Sequence, residues 1–580
     1  MQRMKRMMVT AMVLLLLQSV CGAVSIGGTK EQFRRNTLTP LREAGYRLTD
    51  DEEGEGKSRY LLRLGRGEKV ASFLLQNVLG TSVPRWNREL AGRLKGSALE
   101  LTVDWKRYAD AQPGSVTAVF LPGEGTKNRG PIGTLLHAEK LRADLDFDPE
   151  GLLTRIRFRP LDETLEQNGS RYHLVMKGTG IGVTGPGRYT LSNDLLALTG
   201  AGGGATVRME SRGLRCDVAR SDALFGTRHC RLDSVELETE NTQNGESFNN
   251  RILLESLEES GEVRAGKEGM RSDVNLTVGR FALLGIHPRE RIDFRGRSLS
   301  LRGGISRVPE SLYRRLMDLL AAPPAKPEAV LRALAPTLER LFRRLSLRYG
   351  VSLGELNATV GSSDRGGVVL SVQDYRFGLG ADFASDLNLS KRFGIRRLTF
   401  QERRRKRKVF SLDLRGFSLG VRARELYNFM PELMGFALEN IRAGRPARNR
   451  ALELQAATLG RRLLQRGGHL QVAPLKVEAL SFSDPGRQKR LGAMEAQLDV
   501  RLKPNRLDPA NPMAMMLLLA YLRADGDVVL TRRDLEQILP ELDPAMAAMV
   551  RQYVRYEGDR AIFTLRFDQG DLLINGKPLR

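Results

Sequence analysis

The chain has 580 residues, 41% of them hydrophobic and 28% charged, a globular composition that excludes wholesale disorder. Its 92 basic and 68 acidic side chains give a net charge of +24, a bias towards anionic partners that names none of them. Three cysteines and five histidines leave little for a multi-ligand metal site, and a single apolar stretch near the N-terminus excludes a polytopic helical membrane protein.

Arg3, Lys5 and Arg6 form a basic n-region ahead of an apolar run from Val9 to Val20, and Cys21-Gly22-Ala23 supplies small residues for cleavage after Ala23. A run of this length spans about 18 Å as a helix, short of the roughly 30 Å hydrocarbon core. Met7 to Thr29 is nevertheless free of charge, so residues 1–29 read either as a cleaved signal peptide or as an uncleaved N-terminal anchor. Both place everything after Lys30 outside the cytosol.

Residues 30–96 form a mixed segment opening on a short helix, Gln32–Ala44. From 97 to 303 period-two alternation dominates: Leu99, Leu101, Val103 and Trp105 alternate with Glu100, Thr102 and Asp104, and Leu141, Ala143, Leu145 and Phe147 with Arg142, Asp144 and Asp146. One apolar and one polar face mark antiparallel strands buried on a single side. Gly180-Ile181-Gly182-Val183-Thr184-Gly185 fits a dinucleotide fingerprint by letter. Pro186-Gly187 and a further strand follow it, where a phosphate site needs a helix N-terminus, so it reads as a glycine-rich strand and turn. Gly200–Gly204 reads as a flexible loop.

Cys216 and Cys230 stand on two strands joined by Ser221–Gly226, so a hairpin sets them opposite each other and an oxidising compartment closes a disulfide. That bond is worth roughly 3 kcal/mol by loop entropy. Two buried free thiols are the other reading.

Helical periodicity enters after Pro309. Helices are predicted over 312–320, 328–345, Arg424–Ile441, Ala451–Gln465, Pro509–Leu522 and Arg533–Tyr553, the last broken at Pro540 and Pro544. A loose internal repeat sets 304–445, with Gly350 to Gly366, beside 446–580, with Gly468 to Gly486. The fold class is therefore α+β and β-rich: long antiparallel half-buried sheets with amphipathic helices in the C-terminal half.

Arg403, Arg404, Arg405, Lys406, Arg407 and Lys408 are the sharpest charge feature; ten basic residues and one acid lie between Lys391 and Lys408. Export argues against nucleic acid as the partner. Anionic headgroups suit such a run, each base near the surface contributing about 1 kcal/mol, and a solvated hairpin tip that prevents edge pairing suits it equally. Gly416-Phe417-Ser418-Leu419-Gly420 matches a nucleophile elbow, with His469 as the downstream histidine and Glu425, Glu432, Glu439 or Glu453 as its acid. The strand before it carries Asp413 and Arg415, however, and is not buried on two faces as a hydrolase elbow requires. His137, His173, His229 and His287 fit no metal spacing, so neither a catalytic set nor a cofactor is expected.

The order of segments resembles the YdgA-like family of bacterial cell-envelope proteins. The residues carrying the likeness are the export segment, the helix Gln32–Ala44, strands of the type Arg155-Ile156-Arg157-Phe158-Arg159-Pro160-Leu161, and Leu353-Gly354-Glu355-Leu356. The closing Gly570-Asp571-Leu572-Leu573-Ile574-Asn575-Gly576-Lys577-Pro578-Leu579 is the most specific. The resemblance implies a periplasmic, inner-membrane-associated protein without an assigned active site. The expected function is non-enzymatic: binding or transfer of lipid along an apolar sheet face, similar to AsmA-like bridge proteins. The alternatives are a structural adaptor for another envelope component and, remotely, a serine hydrolase using Ser418.

Overall fold

A computed structural model describes residues 29–579 apart from 73–87, 89–90, 93, 122, 124–140, 150–151, 168, 186, 221–224, 244–245, 288–289, 322–335, 363–365, 384–385, 405–406, 444–448, 510 and 512. The expected leader, Arg405 and Lys406 of the basic run, and residues 328–335 of the helix expected over 328–345 lie outside the described residues; 336–341 of that helix are helical. Strands take 66% of the residues and helices 20%, so β structure dominates. The chain divides into two compact units. One holds residues up to Arg264 with 286–288 and 317–323; the other holds 265–285, 289–316 and 324–580.

The first unit contains β1 (Tyr46–Glu53), β2 (Lys57–Leu64), β3 (Ala98–Asp104), β4 (Val116–Leu121), β5 (Leu141–Phe147), β6 (Leu153–Phe158), β7 (Leu161–Gln167), β8 (Ser170–Lys177), β9 (Gly180–Gly185), β10 (Arg188–Gly202), β11 (Ala205–Arg220), β12 (Gly226–Gln243) and β13 (Glu246–Gly266). The alternation works as read. On β2 and β3, Tyr60 stands opposite Leu101 and Leu62 opposite Leu99, all buried, while Arg59 and Glu100 turn outward and pair at 2.7 Å. The helical entry from Lys30 to Glu43 drops Phe33 into this core against Tyr60, Trp105, Tyr108 and Phe147. Trp105 donates from Nε1 to Ser58 Oγ at 2.8 Å, satisfying its one buried donor. A single core thus runs from Phe33 to Ile181, and no boundary falls at 96/97: the 30–96 segment and the strands after it bury each other.

Two phenols in this core lack partners. The hydroxyls of Tyr46 and Tyr108 are buried without a hydrogen bond among the described residues. Burial raises both above the usual tyrosine range, Tyr108 to about 12 with the negative charge of Asp148 adding to the effect. A folded-state value above the unfolded one of about 10 keeps its contribution intact below pH 10 and loses it as pH rises towards 12. Tyr108→Phe is expected to stabilise the unit by about 1 kcal/mol at pH 8 by removing an unpaired buried hydroxyl. It should also flatten the alkaline fall in stability, as urea unfolding at pH 8 and pH 11 would record. A loss of stability at pH 8 would show that the hydroxyl has a partner.

Gly200 to Gly202 are not loop. They pair with Val207, Thr206 and Ala205 at the end of β10, leaving Gly203 and Gly204 as the turn. A side chain at Gly200 would meet the Tyr172 ring and one at Gly202 would meet Ser170, so these glycines serve close cross-strand approach.

The second unit contains β14 (Gly269–Ile286), β15 (Arg291–Val308), β16 (Ser346–Ser362), β17 (Gly366–Asp382), β18 (Asp386–Arg404), β19 (Arg407–Tyr427), β20 (Gly468–Val477), β21 (Ala479–Asp484), β22 (Arg487–Leu491), β23 (Met494–Leu502), β24 (Leu522–Thr531), β25 (Arg555–Glu557), β26 (Arg560–Asp568), β27 (Asp571–Ile574) and β28 (Lys577–Pro578). Helices occupy Glu310–Ala321, Met430–Ala443, Asn449–Arg466, Arg532–Ile538 and Pro544–Tyr553. The expected start at Arg424 is corrected to Met430, because Ala423, Leu426 and Tyr427 still pair with Leu389, Leu387 and Asp386. The helix expected over Pro509–Leu522 shrinks to Ala514–Leu518 and one tight turn, since Leu522 already opens β24.

The expected breaks at 303/304 and 445/446 are absent. β15 runs through the first and pairs with β16 along its length, and β19 pairs with β20 across the second. The proposed repeat also fails: Gly350 lies inside the 17-residue β16, whereas Gly468 opens the 10-residue β20.

A smaller core of Leu530, Leu535, Leu539, Ala547 and Ala561 closes the C-terminal end. Asn575 pins it, donating from Nδ2 to the Tyr553 and Ile562 carbonyls and accepting the Thr564 N–H at Oδ1. The Asn-Gly-Lys-Pro ending is thus a structural clasp.

Candidate functional site

Strand pairing decides which side chains share a face, and between β15 and β23 it gathers the apolar ones. Leu347, Tyr349, Val351 and Leu353 on β16 stand opposite Ala381, Leu379, Phe377 and Tyr375 on β17. Ala381, Leu379 and Phe377 in turn face Leu389, Lys391 and Phe393 on β18, and those face Ala423, Val421 and Leu419 on β19. Val421 and Ala423 continue to Val472 and Leu470 on β20, then to Leu498 and Val500 on β23. Phe393 makes edge contacts with Tyr375 at 5.4 Å and Phe417 at 5.5 Å, so an aromatic row crosses the aliphatic field.

A left-handed backbone residue recurs in the middle of alternate strands. Each of β11, β13, β15, β17 and β19 carries one left-handed residue near its middle: Gly213, Ser256, Ser298, Asp374 and Gly416. The apolar phase of the sequence changes at the same point, from Val368, Leu370 and Val372 before Asp374 to Tyr375, Phe377 and Leu379 after it, while the register with β16 runs through unshifted. At Gly416 the φ of +60° and the Glu478 side chain that any Cβ would strike both call for glycine.

The face is not covered as a core would be. Tyr349 and Leu379, opposite each other, are 46% and 45% exposed, and Ile305, Leu389, Leu470, Met494 and Leu498 are exposed as well. The other side of the same strands is ionic. Asp413 is held by Arg397 at 3.0 Å and by Arg415 at 2.8 Å; partial burial raises its carboxyl, and the two guanidiniums outweigh that and hold it below the usual carboxylate range. Asp499 lies between His469 Nε2 at 2.7 Å and Arg501 at 3.1 Å and is lowered against burial in the same way.

The structure sets Cys216 directly opposite Cys230 on β11 and β12, Cα atoms 4.0 Å apart and the sulfurs bonded. Cys216 alternates with the charged Arg215 and Asp217, so the pair belongs to the apolar phase of β11. In the basic run, Arg403 and Arg404 end β18, and Arg407 and Lys408 open β19 opposite them. Arg404 binds Glu402 at 3.0 Å and Arg403 donates to Gln401 at 3.3 Å, so the described part of the run is a hairpin tip partly tied to its own strand.

Ser418 does not sit on an elbow. It lies inside β19, opposite Gly394 and Lys476, on the polar side of the sheet. His469 stands opposite Arg424, six residues further along β19 or roughly 20 Å away, so no Ser–His pair forms. Glu432 is taken by Arg462 and the Tyr427 hydroxyl. Among the described residues no group of His, Cys, Asp and Glu gathers to hold a metal, and no helix is long and apolar enough to cross a membrane. The pocket lined by Tyr46, Leu64, Leu94, Leu99 and Phe120 in the first unit is apolar.

Gly180–Gly185 is β9, hairpin-paired with β10 and lacking the helix a dinucleotide would need. Comparison with protein-family models, with curated proteins and with solved structures found no match.

Proposed function

We propose that the chain is a non-enzymatic periplasmic protein of the cell envelope that binds acyl lipid along the apolar face of β15–β23 and transfers it. The observation that carries this is the exposure of a register-continuous apolar face. A sheet folded for its own core buries such residues, and leaving each Val, Leu or Phe in water forgoes about 1.5–3 kcal/mol. An acyl chain laid across the strands recovers that energy. Strands of 17 to 21 residues in β16–β19 provide a run of about 55–70 Å, far beyond the usual strand.

The rest of the reading follows the same chemistry. The leader, cleaved or retained, brings the chain to the inner membrane, and Arg403 to Lys408 attract its anionic surface. Amphipathic helices in the C-terminal half are part of the same reading. Membership of the YdgA-like type is part of the proposal and rests on the motifs alone.

Purified full-length protein, washed free of detergent and extracted with organic solvent, is expected to release acyl lipid in near-stoichiometric amount, as mass spectrometry of the extract would record. Consistently lipid-free protein would defeat the proposal and favour the adaptor alternative.

A further inference from the structure

Lys391 is out of place. On β18 it occupies the apolar side, opposite Leu379 on β17 and Val421 on β19, with Leu389 and Phe393 two residues either way along its own strand. Its Nζ lies 5.8 Å from the centre of the Phe377 ring, a cation–π contact that holds the ammonium over the apolar surface. The other charged strand residue on this side of β16–β19 away from the hairpin tip is Glu402, and Arg404 neutralises it. Among the described residues no acid pairs with Lys391. On the opposite side of the same strand pair, Arg397 is bound to Asp413, which Arg415 shares. The ionic side thus sets an acid among its cations, while the cation on the greasy side has none beside it among the described residues.

Resting on the lipid reading of this face, we infer that Lys391 is the headgroup anchor of the site and that its ligand is an anionic amphiphile, one acyl chain ending in a carboxylate. The acid group meets the Nζ and the chain runs over Phe377, Phe393, Leu419 and Val421. Lys391 is exposed, so its ammonium is open to a carboxylate, and the acyl chain that brings the acid displaces water from the pair as it covers Phe377 and Leu389. Lys391 also sets polarity: the chain lies with its acid at β18 and its tail extended across neighbouring strands.

The test uses delipidated full-length protein with dansyl-labelled undecanoic acid and its methyl ester, titrated by fluorescence at neutral pH. The wild type is expected to bind the acid about tenfold more tightly than the ester. Lys391→Met should bind both with the ester's affinity, and Lys391→Arg should keep the preference. An unchanged acid-to-ester ratio in Lys391→Met would overturn the anchor while leaving the apolar face as a lipid site. Failure of the wild type to bind either probe would overturn the lipid face and the anchor together.

Discussion

Phe33→Ala is expected to destabilise the first unit by about 3–5 kcal/mol, the range for emptying a fully buried aromatic position. Phe33 is wholly buried at the meeting point of four rings, with centroids at 5.7 Å to Tyr60, 5.7 Å to Trp105, 5.5 Å to Tyr108 and 6.4 Å to Phe147. Each aromatic pair adds roughly 0.5–1.5 kcal/mol beyond area burial, and truncation removes all four at once. Domains of this size rarely hold more than about 5–15 kcal/mol, so the variant sits near the edge of folding. Denaturant unfolding followed by near-ultraviolet circular dichroism reads the effect directly. A cost below about 1 kcal/mol would mean that the helical entry from Lys30 is a peripheral attachment.

The double variant Tyr349→Asp with Leu470→Asp separates a lipid face from an ordinary core. Both side chains are exposed and lie on the apolar side, on β16 and β20. A carboxylate beneath an acyl chain costs about 2.5–3.5 kcal/mol, so lipid affinity should fall roughly a hundredfold. The protein's own stability should change by no more than about 0.5 kcal/mol, as expected for exposed positions. Had these residues formed a core, the same substitutions would unfold the unit. Thermal unfolding and lipid titration on the same sample distinguish the two outcomes.

Much of the β architecture was legible, because one-sided burial writes period two into the sequence. Leu99 to Asp104 and Leu141 to Phe147 fell where alternation put them. Strand length was not legible: the alternation breaks between Val372 and Tyr375 and between Leu414 and Phe417, yet β17 and β19 each run through the break. Their apolar phase shifts parity at Asp374 and Gly416, and a parity shift read along one chain looks like an ending. The signal was present as paired apolar runs offset by one position, Leu347–Leu353 against Leu356–Val360.

The helix expected from Arg424 was overextended for a related reason: pairing with β18 outweighed a local periodicity that helix and strand both satisfied. Lys391 was visible only as one base among ten. Which side of the sheet it occupies depends on register with β17 and β19, and that information lies more than ten residues away on each side. The Cys216–Cys230 juxtaposition was easier to see, because a single hairpin connects the two positions.

Native mass spectrometry of the full-length wild type beside the Tyr349→Asp, Leu470→Asp variant tests the lipid-binding face most directly. The wild type should carry the added mass of bound acyl lipid and the folded variant should appear bare. A bare wild type, or a variant loaded to the same extent, would contradict it.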